Sequence, residues 1–154
     1  MSMHAAATSS PTSSVGYGRV MLDSTGRTIM ISGANRGLGN AIARRLHDDG
    51  YNVSVGGRDI DALRRSMDGY DDDRVLCHRY DTTQPETEAE WVHATIERFG
   101  SLSGLVNNAG IIDTAELDVL TEESLDAMWA VNVKAPFRMI QLALPHLRTE
   151  GSGR

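Results

Sequence analysis

The chain has 154 residues, of which 40% are hydrophobic and 23% are charged, a composition typical of a globular protein with one core. Its formal net charge of −6 argues against nucleic acid as a main partner, because binding a phosphate backbone requires a basic face. No apolar run approaches the roughly 18 residues that a membrane span requires, so we expect neither a nucleic-acid nor a membrane partner.

Residues 1–20 predict a disordered N-terminal extension, because they are rich in Ser, Ala, Thr and Gly. They lack the basic start and apolar block of a secretory signal. The single cysteine, Cys77, excludes an internal disulfide and lies in an apolar run, so we expect a small core side chain and a reducing cytoplasm. His4 has no second His or Cys nearby at metal-ligand spacing, and we predict no metal site.

From Thr28 onward, strand-like and helix-like patterns alternate along the chain. Short apolar runs predict strands at 28–32, 51–55, 74–80 and 104–110, the last running into a loop. Helical spacing predicts helices at 39–50, 59–67, 86–100 and 121–149, with a joint near 132–136. The first helix has Ala41, Ile42 and Leu46 at helical spacing, and the third turns Trp91, Ile96 and Phe99 inward. This alternation predicts an α/β fold with a parallel sheet and helices on both faces.

Three glycines stand between the first predicted strand and the helix that follows it, in "TIMISGANRGLGNAIA". At Gly33 the chain can leave the strand in a tight turn, at Gly37 the backbone can approach a pyrophosphate, and at Gly39 the helix can pack closely on the strand. The helix N-terminus would offer free N–H groups to the anion. This context favours a dinucleotide-binding loop over a glycine-rich turn without a ligand.

Three motifs in order carry a family resemblance. The stretch "SGANRGLG" resembles the glycine loop of the short-chain dehydrogenases/reductases, with Ser32 where Thr is more usual. "NNAG" at 107–110 resembles the second motif of that family, after strand four, and "VNV" at 131–133 resembles the third. "MLDSTGRT" is similar to the lead-in to the first strand of the family. The resemblance covers nearly everything from about Met21 to Arg154.

The resemblance implies a fold, an activity and a set of site residues. The fold is a Rossmann-like doubly wound parallel sheet of order 3-2-1-4, in one domain over 21–154 that lacks strands five onward. The activity is hydride transfer between a nicotinamide cofactor and a small-molecule alcohol or carbonyl substrate. The implied catalytic residue is Asn132, and the cofactor-binding residues are Gly33, Asn35, Arg36, Gly37, Leu38, Gly39, Arg58, Asp81, Thr82, Asn108, Ala109 and Gly110.

Several of these residues also have a purely structural interpretation. By resemblance, Asp81 touches the adenine amino group with Thr82 beside it; the structural alternative for Asp81 is a helix cap or a loop charge. Ala109 and Gly110 would lie close to the cofactor ribose. For Asn107 we favour a buried amide that ties neighbouring strands together, and for the next residue, Asn108, both interpretations stay open.

The catalytic residues that the family uses for proton transfer are not in this sequence. The family has a Ser after strand five and a Tyr-x-x-x-Lys motif on the next helix, whereas none of the four tyrosines here has a lysine four residues on, and Lys134 is the only lysine. The closing "GSGR" resembles the turn into strand five. We expect activity to require residues beyond Arg154; cleavage, a longer chain and a truncated product all stay open. The alternative function is a non-catalytic nucleotide-binding or interaction module.

The cofactor preference is predicted from the end of the second strand. Gly57 stands where NAD-preferring members carry an acidic residue, and Arg58 follows it. With Arg36 in the glycine loop, two guanidinium groups could flank a 2′-phosphate, although each could also be a solvated surface charge. We interpret Asp59 as the N-terminal residue of the next helix. The sequence therefore predicts NADP(H) over NAD(H).

The last predicted helix is apolar nearly all round, so it must be buried on more than one side. Its apolar residues are Val133, Phe137, Met139, Ile140, Leu142, Ala143, Leu144 and Leu147. One side should pack on the sheet, and the other resembles the interface helix of the family. This predicts a homodimer or a homotetramer, with burial by a further part of the same chain as the alternative.

Overall fold

The computed structural model describes residues 23–154, and the predicted disordered extension over residues 1–20 lies outside them. Strands and helices alternate up to the fourth strand, as the sequence pattern predicts. The elements are β1 (Thr28–Ser32), α1 (Gly37–Asp48), β2 (Asn52–Gly57), α2 (Ile60–Ser66), β3 (Val75–Arg79), α3 (Glu86–Phe99), β4 (Gly104–Val106), α4 (Glu122–Trp129), a π-helical turn (Ala130–Lys134) and α5 (Ala135–Thr149).

The four strands form one parallel sheet in the order β3-β2-β1-β4, which confirms the predicted topology. β1 pairs with β2 from Thr28 opposite Asn52, and with β4 from Ile29 opposite Gly104. The chain moves outward from β1 to β3 and then crosses to the other side of β1 to form β4. The carboxyl ends of β1 and β4 therefore flank a topological switch point, where open α/β sheets leave a crevice for ligands.

Two hydrophobic clusters cover the two faces of the sheet. Alternate residues of β1 enter different clusters, since successive side chains of a strand point to opposite faces. Ile31 packs with residues of α1 and α2, including Ala43 and Leu63, whereas Met30 packs with Trp91 of α3 and Met139 of α5. The two clusters cover the faces of the sheet, and the carboxyl edge of the sheet remains uncovered by them.

Two element boundaries differ from the sequence prediction in a way that matters for the site. β2 continues through Gly56 and Gly57, because Gly56 pairs with Ser32 of β1 and Gly57 pairs with Arg79 of β3. A Cβ at Gly56 would approach the indole ring of Trp91 to 2.7 Å. α1 begins at Gly37, two residues earlier than predicted. Its buried face includes Ala43 and His47 instead of Ala41, which is exposed.

The joint predicted inside the last helix is a π-helical turn over Ala130–Lys134. It connects α4 to α5 without a loop, and Pro136, which has no N–H to donate, follows it directly in the first turn of α5. The turn places Asn132 beside the segment that follows β4.

Candidate functional site

A cleft of about 640 Å³ opens at the carboxyl edge of the sheet. The loops after β1, β2, β3 and β4 all contribute to it, together with one face of α4 and the π-helical turn. Its lining residues are Gly33, Asn35, Arg36, Gly37, Gly57, Arg58, Asp59, Tyr80, Thr82, Thr83, Asn108, Ala109, Gly110, Ile111, Ala127, Ala130 and Val131. Nine of the thirteen residues singled out from the sequence are among them; Leu38, Gly39, Asp81 and Asn132 lie outside this lining.

The glycine loop has the backbone that its three glycines predict. Gly33 and Gly37 have φ angles of +68° and +59°, in the left-handed region that favours glycine. A Cβ at Gly37 would meet nothing within 4 Å, whereas a Cβ at Gly39 would come to 2.5 Å from the carbonyl oxygen of Gly33. The loop is therefore open where a ligand backbone could approach and closed where α1 packs on the strand.

The N-terminus of α1 faces the cleft through Gly37, and it has the properties of an anion site. Arg36 caps the helix in an extended conformation without a side-chain capping bond. The first N–H groups of a helix have no partner within the helix, and they carry a partial positive charge. The Nδ2 of Asn40 donates to the carbonyl oxygens of Ala34 and Ser66 (both 3.2 Å), so the loop is fixed to the end of α2.

Ser32 and Asn108 join the ends of β1 and β4. The hydroxyl oxygen of Ser32 accepts hydrogen bonds from the backbone N–H groups of Asn108 and Ala109, both at 2.9 Å. The side-chain amide of Asn108 donates to the carbonyl oxygens of Ser32 (2.9 Å) and Gly33 (3.1 Å). The strand-tying amide is thus Asn108, and the expectation of a buried amide at Asn107 is wrong, because that residue is exposed.

The end of β2 and the residues that follow it line another part of the cleft. Gly57 is buried, and a Cβ there would make only ordinary contacts of 3.8 Å with Leu63. Arg58 and Arg36 are both exposed and line the cleft. Asp59 caps α2 by accepting a hydrogen bond from the N–H of Ala62 at 2.9 Å, which confirms that it belongs to the helix.

The loop after β3 is held by its own side chains. Oδ1 of Asp81 accepts from the backbone N–H and the hydroxyl of Thr83 at 3.0 and 2.7 Å. The hydrogen bond from the Thr83 N–H is the largest cause of a lowered pKa at Asp81; the bond from the Thr83 hydroxyl and the positive charge of Arg58 lower this pKa further. The Asp81 N–H donates to the hydroxyl of Thr87 in α3 at 3.0 Å. The loop-charge interpretation of Asp81 therefore has a structural basis, while Thr82 beside it lines the cleft.

Tyr80 is a tyrosine at the cleft that the sequence did not single out. It is buried, and its ring lies 5.0 Å from that of Trp91. Burial, with a smaller contribution from the nearby Glu88 carboxylate, raises the pKa of Tyr80 to about 12. A proton donor for catalysis near neutral pH needs a shift in the opposite direction.

The side-chain amide of Asn132 makes two hydrogen bonds, both to the backbone of Ile111. Its Oδ1 accepts from the N–H of Ile111 at 2.9 Å, and its Nδ2 donates to the carbonyl oxygen of Ile111 at 2.8 Å. This two-point contact ties the π-helical turn to the segment after β4. Asn132 thereby fixes Gly110 and Ile111, both of which line the cleft.

Several lining residues carry no motif of their own. Ala127, Ala130 and Val131 have the i, i+3, i+4 spacing of one helix face, a signal present in the sequence. Thr83 follows two residues that were singled out. A contact from Arg138 of α5 to the carbonyl oxygen of Thr82 at 3.0 Å has no counterpart in the sequence pattern, since it depends on how α5 packs.

The described part of the chain contains neither a metal-ligand cluster nor a helix that could span a membrane. Among residues 23–154, no cluster of three or more His, Cys, Asp or Glu side chains could hold a metal ion. In the same described range, none of the helices is both long and apolar enough to cross a bilayer.

Comparison with known proteins identifies relatives of this sheet and cleft. Residues 27–154 match the family model for short chain dehydrogenases. Agropine synthesis reductase of Rhizobium rhizogenes is 42% identical over 127 residues, which is 82% of this chain and 29% of that protein. The chain therefore spans less than a third of the length of this relative.

Two solved structures share the fold. The alcohol dehydrogenase of the archaeon Thermococcus sibiricus, in complex with 5-hydroxy-NADP, has a TM-score of 0.74 and 34% identity, covering 81% of this chain and 55% of that one. The 3-ketoacyl-(acyl-carrier-protein) reductase of Brucella melitensis, in complex with NADH, has a TM-score of 0.77 and 28% identity, covering 83% and 53%. The chain spans about half of each.

Proposed function

Because the chain belongs to the short chain dehydrogenase family, we propose that it is the cofactor-binding part of an NADP(H)-dependent oxidoreductase. The bound nicotinamide would exchange a hydride with an alcohol or carbonyl substrate. The observation that supports this best is the glycine loop: Gly33 before α1 and Gly37 at its first position both have positive φ and line a cleft at the carboxyl edge of the sheet. A dinucleotide pyrophosphate fits this cradle, since Gly37 leaves its approach open.

The remaining residues of the cleft suit the other parts of the cofactor. We assign the pyrophosphate to the glycine loop, from Gly33 and Asn35 through Leu38 and Gly39, the adenine to Asp81 and Thr82, and the ribose to Asn108, Ala109 and Gly110. Gly39 contributes indirectly, because the absence of a side chain there lets α1 pack closely against the loop at Gly33. Leu38 is 70% exposed, so it can contact a bound ligand without moving a packed side chain.

The NADP(H) preference rests on three residues at the mouth of the cleft. Arg36 and Arg58 present two exposed guanidinium groups there, and each can form charge-assisted hydrogen bonds with a 2′-phosphate. Gly57 supplies no carboxylate to bind a ribose 2′-hydroxyl or to repel a phosphate. The two solved relatives carry an NADP derivative and NADH, so it is these three residues that support the preference.

A ligand series tests this assignment in the wild-type chain. We expect 2′,5′-ADP to bind more tightly than 5′-ADP in isothermal titration calorimetry, because only the former carries the phosphate that the two arginines would bind. In an Arg36→Ala, Arg58→Ala double variant, the ratio of the affinity for 2′,5′-ADP to that for 5′-ADP should fall by about tenfold or more, because the charge-assisted bonds to the 2′-phosphate are lost. Equal discrimination in the double variant would refute the assignment.

The reciprocal variant is Gly57→Asp. A side chain fits there, since a Cβ at this position would make only ordinary contacts, and a carboxylate would repel a 2′-phosphate. We expect this variant to prefer 5′-ADP. Arg45→Ala serves as the matched control, because Arg45 is paired with Asp49 in the last turn of α1, away from the cleft residues.

A second candidate function is nucleotide binding without turnover by these 154 residues. It is favoured by Tyr80, the one tyrosine among the residues lining the cleft, whose pKa is raised by burial to about 12. Asn132, which we retain as a catalytic position, has an amide that does not titrate usefully. We expect no NADP(H)-linked turnover from a chain of verified mass, and turnover in a longer chain with Ser and Tyr-x-x-x-Lys.

The assembly and the location also belong to the proposal. α4, the π-helical turn and α5 expose a continuous row of large apolar side chains, which is suited to a second copy of the chain in a homodimer or homotetramer. With its single, half-buried cysteine, the chain fits a reducing cytoplasm.

A further inference from the structure

An ion pair between α3 and α5 lies behind one wall of the cleft. Glu88, in the first turn of α3, has a side chain that is 1% exposed. The Nε of Arg138 donates to both of its oxygens at 3.1 and 2.9 Å, and Nη2 donates to Oε1 at 2.6 Å. The guanidinium therefore grips the carboxylate through two nitrogens.

The same guanidinium makes a third contact, with the loop after β3. Nη2 of Arg138 also donates to the carbonyl oxygen of Thr82 at 3.0 Å. Thr82 is one of the residues that line the cleft. One side chain of α5 thus fixes the backbone of a residue at which a ligand would be bound.

Stability alone does not account for this arrangement. A buried ion pair can often be replaced by well-packed hydrophobic side chains without loss of stability, since removing two charges from water is costly. A hydrophobic pair at these positions would still join α3 to α5. What it could not supply is a hydrogen bond to Thr82.

The other side-chain hydrogen bonds of this loop are made within the loop or to β3 and α3, as in the bond from Arg79 of β3 to the side chain of Gln84 at 2.9 Å. Asp81 is bound to Thr83 and, through its N–H, to the hydroxyl of Thr87. Both contacts are made by residues of the loop or of α3. The bond from Arg138 is the one that connects this loop to α5, among the hydrogen bonds of the described chain.

We propose that Arg138 is a positioning residue of the cofactor site, which holds the Thr82 backbone at the cleft wall and so sets the affinity for the adenosine end of the dinucleotide. Glu88 fixes the guanidinium in the orientation that reaches Thr82. This inference rests on the proposed cofactor site, because it assigns the adenine to Asp81 and Thr82. Binding groups lose effectiveness when the residues that support them are not held in place.

The decisive variant replaces both partners, Glu88→Leu with Arg138→Met. It removes the buried charges together, so it should unfold at a higher temperature than Arg138→Met alone, which leaves a buried carboxylate unpaired. We expect 2′,5′-ADP to bind the double variant about tenfold more weakly than the wild type. Hydrogen exchange at the amides of residues 82–84 should be faster, while exchange in β1 and β2 should be unchanged.

Two further variants complete the test. Arg138→Lys keeps a positive charge for Glu88 but lacks the fork that reaches two acceptors, so it should weaken 2′,5′-ADP binding at nearly wild-type stability. Arg45→Met is the control, since it breaks an exposed Arg–Asp pair on α1 and should change neither binding nor exchange at residues 82–84.

The outcomes separate this inference from the proposed function. The inference is overturned if the double variant keeps wild-type affinity and wild-type exchange, because the ion pair would then only join two helices. If the double variant does not fold, the same result in Arg138→Lys decides. If the wild type itself binds no 2′,5′-ADP, the proposed cofactor site fails. The exchange at residues 82–84 then decides whether Arg138 holds the loop.

Discussion

His47 is a buried side chain whose charge state is coupled to folding. It lies on the inner face of α1, 8% exposed, and its Nε2 accepts a hydrogen bond from the N–H of Asp71 at 3.1 Å. Burial, followed by the positive charge of Arg74, lowers the pKa of His47 below its ordinary value of 6.5. A protonated Nε2 could not accept the bond from Asp71, so the fold favours the neutral ring.

This coupling predicts a loss of stability in mild acid. Because the folded pKa is below 6.5, the unfolded chain takes up the proton first as the pH falls. The contribution of His47 is complete above pH 6.5, decreases as the pH falls toward the folded pKa and is lost below it. His47→Gln, which does not titrate, should reduce the slope of melting temperature against pH as the pH falls below 6.5.

The matched control for this experiment is His93→Gln on α3. His93 is exposed, and its substitution should leave the slope unchanged. An equal slope in the wild type and in His47→Gln would show that another group causes the acid sensitivity.

The neighbouring amides after β4 show where residue-level prediction failed. Two asparagines follow each other directly after the end of β4, and one of them is exposed while the other donates to the carbonyl oxygen of Ser32 in β1. Which of them points toward β1 depends on the register of β4 against β1, which is set by tertiary packing. The chemistry of a strand-tying amide was predictable, but its assignment to Asn108 was not.

At the scale of the elements, the contact between Asn132 and Ile111 makes the π-helical turn a part of the cleft. Asn132→Asp keeps an oxygen that can accept from the Ile111 N–H, but it places a second oxygen against the Ile111 carbonyl. We expect a destabilisation of about 1 kcal/mol in urea unfolding, the net value of one hydrogen bond. Amide exchange at Ile111 should be faster.

The control for this variant is Asn107→Asp. It makes the same chemical change at an exposed asparagine near the same loop and should leave both measurements near the wild-type values. Wild-type stability and exchange in Asn132→Asp would show that the two-point contact does not hold the loop.

The elements themselves were largely predictable, for physical reasons that differ among them. Short apolar runs and helical spacing indicated the order of the strands and helices, and the glycine loop showed where β1 ends. The joint in the last helix was predicted near 132–136, but the pattern could not show that it is a π-helical turn over Ala130–Lys134. The contact of Arg138 with Glu88 joins residues 50 positions apart, and local periodicity carries no information about such pairs.

At the scale of the whole molecule, one surface is unusual for its exposed apolar area. Six large side chains form a row along α4, the π-helical turn and α5: Leu125 (57% exposed), Trp129 (53%), Val133 (41%), Phe137 (60%), Ile140 (49%) and Leu144 (36%). The sequence predicted an apolar surface on this helix. Isolated exposed apolar residues are common, but a continuous row is typical of an interface.

We expect this row to mediate self-association. Light scattering coupled to size exclusion should give twice the 16.8 kDa mass of one chain, or a larger multiple, at micromolar concentration. Trp129→Glu with Phe137→Glu should shift the mass toward the monomer, because burying two carboxylates in an apolar interface is costly.

The comparison variant is Leu117→Glu, which adds a charge at a side chain that is 88% exposed in the segment between β4 and α4. It should leave the mass unchanged. A monomeric wild type, or a double variant that associates as the wild type does, would contradict the assignment of the interface.

The π-helical turn has a geometric consequence that reaches both surfaces of the molecule. A π-helical turn holds about one residue more per turn than an α-helix, so rewinding Ala130–Lys134 as α-helix at unchanged length would rotate α5 relative to α4 by roughly a quarter turn. Trp129 and Phe137 would then face different directions, and Asn132 would turn away from Ile111. The alignment of the apolar row and the shape of the cleft therefore depend on the same local winding of one helix, and a change in that winding alters both.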